Sequence, residues 1–168
     1  MSDLLLRNEP DCAGFAGEGA GVAIRLAEPM ARYSLRARDA QVLEDLIGLA
    51  VPRAIGATLG DMACLGPDGW LLCASVGTVL PSGSDLPVAI TDVSERAVRL
   101  LVEGPRAGEV LMAGCPIDLD RFAVGRATRT VFETVEIVVW RLRDDAFAVE
   151  VWRSFAPWLR LALVHAAG

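Results

Sequence analysis

The chain has 168 residues, 53% of them apolar and 23% charged, which suits one compact domain able to bury roughly 70% of the surface its unfolded form exposes without disulfides or metals. Its 22 acidic side chains outnumber 16 basic ones for a net charge of −6. Every basic residue is arginine and none is lysine, and the acidic balance excludes a non-specific nucleic-acid binder, which needs net phosphate-neutralising charge.

Residues 1–21 join Leu4-Leu5-Leu6 to a glycine-rich run from Gly14 to Gly21 and read as an arm without a core of its own, ahead of a single domain over 22–168. No cationic, apolar leader opens the chain. The longest uncharged run, Gly69 to Ser84, has 16 residues broken by Gly, Ser and Pro, too short to span a bilayer. A soluble cytoplasmic protein is the expectation, with free thiols at Cys12, Cys64, Cys73 and Cys115, no two of which form a C-x-x-C pair.

Alternation predicts strands over Val22–Leu26 and Tyr33–Ala37, with Arg or Ser at most intervening places. Asp39 caps a helix carrying Val42, Leu43, Leu46, Ile47 and Ala50 on one side, ended by Pro52. Ala57–Leu65 is a strand, and Gly66-Pro67-Asp68-Gly69 turns it into a hairpin with Trp70–Cys73. Ala74–Pro87 is a loop. Strands over Val88–Val93 and Ala97–Val102 follow, joined at Ser94-Glu95-Arg96, then a short helix that starts at Pro105 and is stopped by Gly114 and Pro116. Thr128–Leu142 is an extended, β-branched stretch, Asp144-Asp145 a turn, and Phe147–Trp152 a strand. Ser154 caps a final helix whose stripe is Phe155, Trp158, Leu159, Ala162 and Leu163, with Pro157 in its first turn. This order predicts an α+β fold, a largely antiparallel sheet with packed helices.

The catalytic inventory is empty. Gly17-Glu18-Gly19-Ala20-Gly21 lacks the third glycine of a dinucleotide fingerprint, since residue 22 is valine and no strand precedes it. The one histidine, His165, lies three residues from the end, far from any nucleophile pairing the sequence reveals. Asp92, Asp118, Asp120, Glu133 and Glu136 form no recognisable acid–base spacing and read as solvated faces and turns. Cys115 reads as a small buried hydrophobe. No metal or cofactor set emerges.

What remains points to partners. A mean hydropathy of +0.41 is high for a lone soluble chain and leaves apolar side chains to seek a cover. Seven of the arginines, from Arg121 to Arg160, crowd the last 50 residues. Arginine suits desolvated planar contacts, although a genome that writes Arg for Lys throughout explains the same count. Judged by residue type, Arg129, Trp140, Trp152 and Arg153 are the candidate interface residues.

Five runs then give a resemblance: Leu65-Gly66-Pro67-Asp68-Gly69-Trp70-Leu71-Leu72, Thr91-Asp92-Val93-Ser94, Glu103-Gly104-Pro105-Arg106-Ala107, Gly114-Cys115-Pro116-Ile117-Asp118-Leu119 and Arg153-Ser154-Phe155-Ala156. In this order and spacing the chain resembles the gamma subunit of heterotetrameric sarcosine oxidases. It departs from that pattern at Gly69, where the family usually has an acidic or polar residue, and in the loop 74–87, where the family has a helix. The resemblance implies a fold related to the folate-binding domain of aminomethyltransferases and an accessory role with no catalytic, cofactor or metal residues of its own. It also implies alpha, beta and delta partner subunits that hold FAD, FMN, NAD, zinc and the tetrahydrofolate site. The complex would demethylate sarcosine oxidatively to glycine, with hydrogen peroxide and either formaldehyde or methylenetetrahydrofolate. Two other readings stay open: a stand-alone folate-binding or one-carbon transfer protein, since fold does not fix function, and a homo-oligomer of the isolated chain.

Overall fold

The computed structural model describes residues 21–83 and 85–168. The expected arm, apart from Gly21, lies outside the described residues, as does Cys12. Among the described residues the chain runs β1 (Ala23–Leu26), β2 (Ala31–Ala37), α1 (Ala40–Ile47), β3 (Thr58–Leu59), β4 (Met62–Gly66), β5 (Gly69–Ala74), β6 (Val88–Asp92), β7 (Ala97–Glu103), α2 (Ala107–Met112), β8 (Ala127–Phe132), β9 (Val135–Arg143), β10 (Ala146–Trp152) and α3 (Ala156–Ala167), with a 3₁₀ turn over Arg153–Phe155 leading into α3.

The strands make two five-stranded sheets, β1-β7-β10-β9-β8 and β3-β4-β5-β2-β6, and each pairing within them is antiparallel. Side-chain alternation decides what each face meets. In β10, Phe147, Val149 and Val151 join Val98, Leu100 and Val102 of β7 and bury against Val110 and Leu111 of α2 and Leu159 and Leu163 of α3. In the other sheet Tyr33, Leu35, Trp70 and Leu72 bury against Leu43 of α1. Each such large side chain removed from water contributes about 1.5–3 kcal/mol. The remaining two faces meet each other, where Ala63 and Cys73 share an apolar layer with Ala127, Val138, Trp140 and Ala148. Helix, sheet, sheet and helices therefore stack as four layers.

The α+β, antiparallel expectation holds, with local corrections. β1 and β2 alternate as expected but enter different sheets, and so do β6 and β7. The span 57–65 contains two strands with a turn at Gly60-Asp61, where Gly60 has φ +55°. The stretch 128–142 likewise folds back on itself, because Glu133 adopts φ 50° between β8 and β9. Asp39 caps α1 through Oδ1, which accepts from Gln41 N, but the helix stops at left-handed Gly48 (φ 67°), well before Pro52. Helix α2 starts after Arg106, past Pro105, and no side chain caps it. Ser154 does not cap α3: it lies inside the 3₁₀ turn and Phe155 occupies the cap position, with Pro157 in the first turn as expected. Among the described residues between Ala74 and Val88, no helix or strand forms. That loop is tied down where Tyr33 Oη donates to the carbonyl of Thr78 at 2.6 Å.

Candidate functional site

The second face of β2 positions the polar interior. Tyr33, Leu35 and Ala37 face α1, so Arg32, Ser34 and Arg36 must face the other sheet. In β10 the same rule turns Glu150 and Trp152 inward, opposite Phe147, Val149 and Val151. Arg32 Nε reaches Glu150 Oε2 at 2.7 Å, and Arg99 Nε reaches Glu150 Oε1 at 2.6 Å. All three side chains are buried. Two guanidiniums on one carboxylate leave one positive charge in excess between the sheets. Arg99 also lies over the Trp140 ring at 5.1 Å, while Arg99 Nη2 and Trp140 Nε1 have no hydrogen-bond partner among the described residues. Burial opposes charge on Arg99, but Glu150, with smaller contributions from Cys73 and Asp61, outweighs it and raises the guanidinium pKa above its ordinary value. The Cys73 thiol donates to Glu150 Oε1 at 3.7 Å. Burial first, and then the Glu150 charge, push this thiol up to about 12, so at neutral pH it is an inert hydrogen-bond donor.

From this buried triad the sheets splay into a cleft of about 230 Å³ whose charged lining is Arg32, Arg36, Arg96, Arg129, Asp68, Glu136 and Glu150, with Trp70 and Trp152 beside them. Arg36 pairs with Asp68 at 3.2 Å, and Arg129 approaches Glu136 at 3.9 Å. The Arg96 guanidinium stacks over the Trp152 ring at 4.3 Å. Beyond Trp152 an apolar strip continues onto α3: Trp152, Phe155, Trp158 and Leu161 are 40, 42, 38 and 59% exposed. The Trp152 and Phe155 rings are 6.4 Å apart, and the three-residue spacing of the others keeps them on one side of the helix. A wider cavity of about 490 Å³ lies under the loop after β5, with Met30, Tyr33, Val76, Val79, Arg99 and Arg153 in its wall.

Of the four interface candidates, Arg129 and Trp152 meet in the cleft. Arg153 lies in the wall of the wider cavity, where Nε donates to the Glu95 carbonyl at 3.1 Å and Nη2 to its carboxylate at 3.2 Å. Trp140 is 3% exposed in the inter-sheet layer. Its side chain supports the sandwich and offers a partner no surface on this fold. Cys115 is buried, whereas His165 and the five acidic candidates are exposed. Asp92 Oδ1 accepts from Ser94 N and Oγ at 2.9 and 2.6 Å, bonds that lower its pKa. Asp118 Oδ1 accepts from Asp120 N and Arg121 N in a turn. Among the described residues no three His, Cys, Asp or Glu side chains gather as a metal site, and no helix is long and apolar enough to cross a membrane. Residue-type reasoning missed Arg96 and the Arg32–Glu150–Arg99 triad. The available signal was the Arg-x-Ser-x-Arg face of β2, set in a strand whose other face is strongly apolar.

Comparison with known proteins bears on this arrangement. Residues 34–168 match the model of the "Sarcosine oxidase, gamma subunit family". A sarcosine oxidase subunit gamma from Corynebacterium sp. (strain U-96) is 30% identical over 161 residues, covering 86% of this chain and 78% of that protein. Among solved structures, a chain of the heterotetrameric sarcosine oxidase from Corynebacterium sp. U-96, in complex with pyrrole 2-carboxylate, superposes with a TM-score of 0.78 at 27% identity, covering 90% of this chain and 88% of that one. The glycine cleavage system aminomethyltransferase T from Bartonella henselae shares the fold at a TM-score of 0.65 and 14% identity, over 88% of this chain and 46% of that one. With the family model spanning the chain from β2 to its last residue, this protein belongs to the sarcosine oxidase gamma subunit family.

Proposed function

We propose that the chain is the accessory gamma subunit of a heterotetrameric, cytoplasmic sarcosine oxidase, and that it works by docking on larger subunits. The observation that carries this reading is the family match over residues 34–168, supported by superposition on a chain of a heterotetrameric enzyme. The companions are alpha, beta and delta subunits; FAD, FMN, NAD, zinc and tetrahydrofolate belong to them, and their chemistry converts sarcosine to glycine with hydrogen peroxide and formaldehyde or methylenetetrahydrofolate. Residues 22–168 act as one domain, because the two sheets share a core. The docking surface includes Trp152, Phe155, Trp158 and Leu161 with Arg129 and Arg153 at its margin, large anchors of the kind that dominate protein interfaces.

Deleting the gene and measuring sarcosine-dependent peroxide formation in extracts tests the role. Activity should fall and return when the chain is supplied. Undiminished activity, or turnover of sarcosine by the purified chain alone, contradicts it. Titrating the isolated chain with tetrahydrofolate separates the stand-alone folate reading, which requires saturable tight binding.

A further inference from the structure

The cleft between the sheets has a charge pattern that the chain itself leaves incomplete. Its lining holds four arginines against three carboxylates, in a chain whose net charge is −6. Arg32 is spent on buried Glu150 and Arg36 on Asp68. Arg129, more than half exposed, has only a loose contact to Glu136 at 3.9 Å. Arg96 is exposed and stacked on Trp152, and none of the ion pairs among the described residues includes it. A guanidinium held 4.3 Å over an indole satisfies none of its N–H donors there, and the guanidinium fork can grip a carboxylate with two parallel hydrogen bonds.

Size and surroundings say what kind of carboxylate fits. At about 230 Å³ the cleft falls below the roughly 300–1,000 Å³ of pockets that enclose drug-sized ligands. It also runs directly into the exposed Trp152–Phe155–Trp158–Leu161 strip. A charged socket beside aromatic anchors is the pattern of a protein interface, in which buried rings supply affinity and the cation sets register.

We infer that this cleft receives an acidic segment of one of the larger subunits, with a partner Asp or Glu carboxylate bound by Arg96 and Arg129 while its apolar neighbours cover the α3 strip. This rests on the gamma-subunit reading and adds the chemistry of the partner and the residues that grip it. Arg96 is the anchor and Arg129 a second donor.

The absence of lysine makes the test direct. In the complex co-expressed with its partner subunits, Arg96→Lys introduces a single side-chain amine into this chain. Carbodiimide treatment followed by peptide mass spectrometry should then couple position 96 to an Asp or Glu of a larger subunit. Separately, Arg96→Glu and Arg129→Gln should each weaken association with the purified remaining subunits at least tenfold, with the variants' thermal melting unchanged because both side chains are exposed. Coupling confined to this chain or to a second copy of it, or an affinity change under twofold in both variants, overturns the proposal while the subunit reading stands. Failure of the unaltered chain to associate at all overturns the subunit reading itself.

Discussion

Glu150 is the residue on which the interior depends. Its two oxygens accept from Arg32 and Arg99, both buried, and its removal would leave two buried guanidiniums with no carboxylate. Glu150→Ala should cost about 3–5 kcal/mol of unfolding free energy, read by urea denaturation with an unchanged m-value; a loss under about 1 kcal/mol contradicts the triad's role. Replacing all three members by apolar residues of similar volume should restore most of that loss, since desolvation of the ions is then no longer required. Cys73 adds a pH dependence with a definite sign. Its thiol is raised in the folded protein from an ordinary 9.0 to about 12, so the unfolded chain releases the proton first. Stability should be constant below pH 9 with respect to this group and fall as pH rises from about 9 to about 12. Cys73→Ala should lack that component in denaturant titrations across the same window. None of this was legible from residue type. Alternation in β2 shows that Arg32, Ser34 and Arg36 share a face, but it does not say whether that face meets water or a second sheet. The same ambiguity separates Trp140 from Trp152, which lie on one face of adjacent strands. The former is covered by β4 and β5, while the latter stands at the end of its strand where the sheets diverge.

At the level of elements, two of the sequence runs that carried the family resemblance are explained by backbone geometry. Gly104 ends β7 at φ +128°, and a Cβ there would lie 2.4 Å from the carbonyl oxygen of Gly21. Gly104→Ala should therefore lose about 1–3 kcal/mol from backbone strain alone, and more from the collision. Gly114 follows α2, and its Cβ would stand 2.6 Å from the Phe132 ring, which is itself fully buried. Gly69, which the resemblance marks as a departure from the family pattern, is the contrasting site. A Cβ there meets nothing within 4 Å, so Gly69→Ala should change stability by less than about 0.5 kcal/mol. Thermal melts of the three variants side by side check the order; a Gly69 variant as damaged as Gly104 would contradict it. Most strands and the turns at Pro67-Asp68 and Asp144-Asp145 were readable because Gly, Asp and alternating apolar residues act locally, whereas the turns at Gly60-Asp61 and Glu133 lay hidden inside stretches that read as continuous. The partition of β1 and β2, and of β6 and β7, between sheets was not readable, because those pairings join residues far apart in the chain.

For the whole molecule, a mean hydropathy of +0.41 pointed to more apolar area than a lone chain covers. The fold shows where the surplus apolar area goes. Most is consumed by three buried layers, and the exposed rings that remain concentrate from Trp152 through α3. Trp158→Ala should leave the fold intact, costing less than Trp140→Ala, yet weaken assembly; gel filtration of the co-expressed complex resolves the two effects. The central claim is that this chain functions as one subunit among larger ones. Native mass spectrometry of the complex purified through a tag on this chain tests it most directly. One copy of the chain bound to larger flavin-bearing subunits is the predicted result, and recovery of the chain only by itself, as monomer or homo-oligomer, would contradict it.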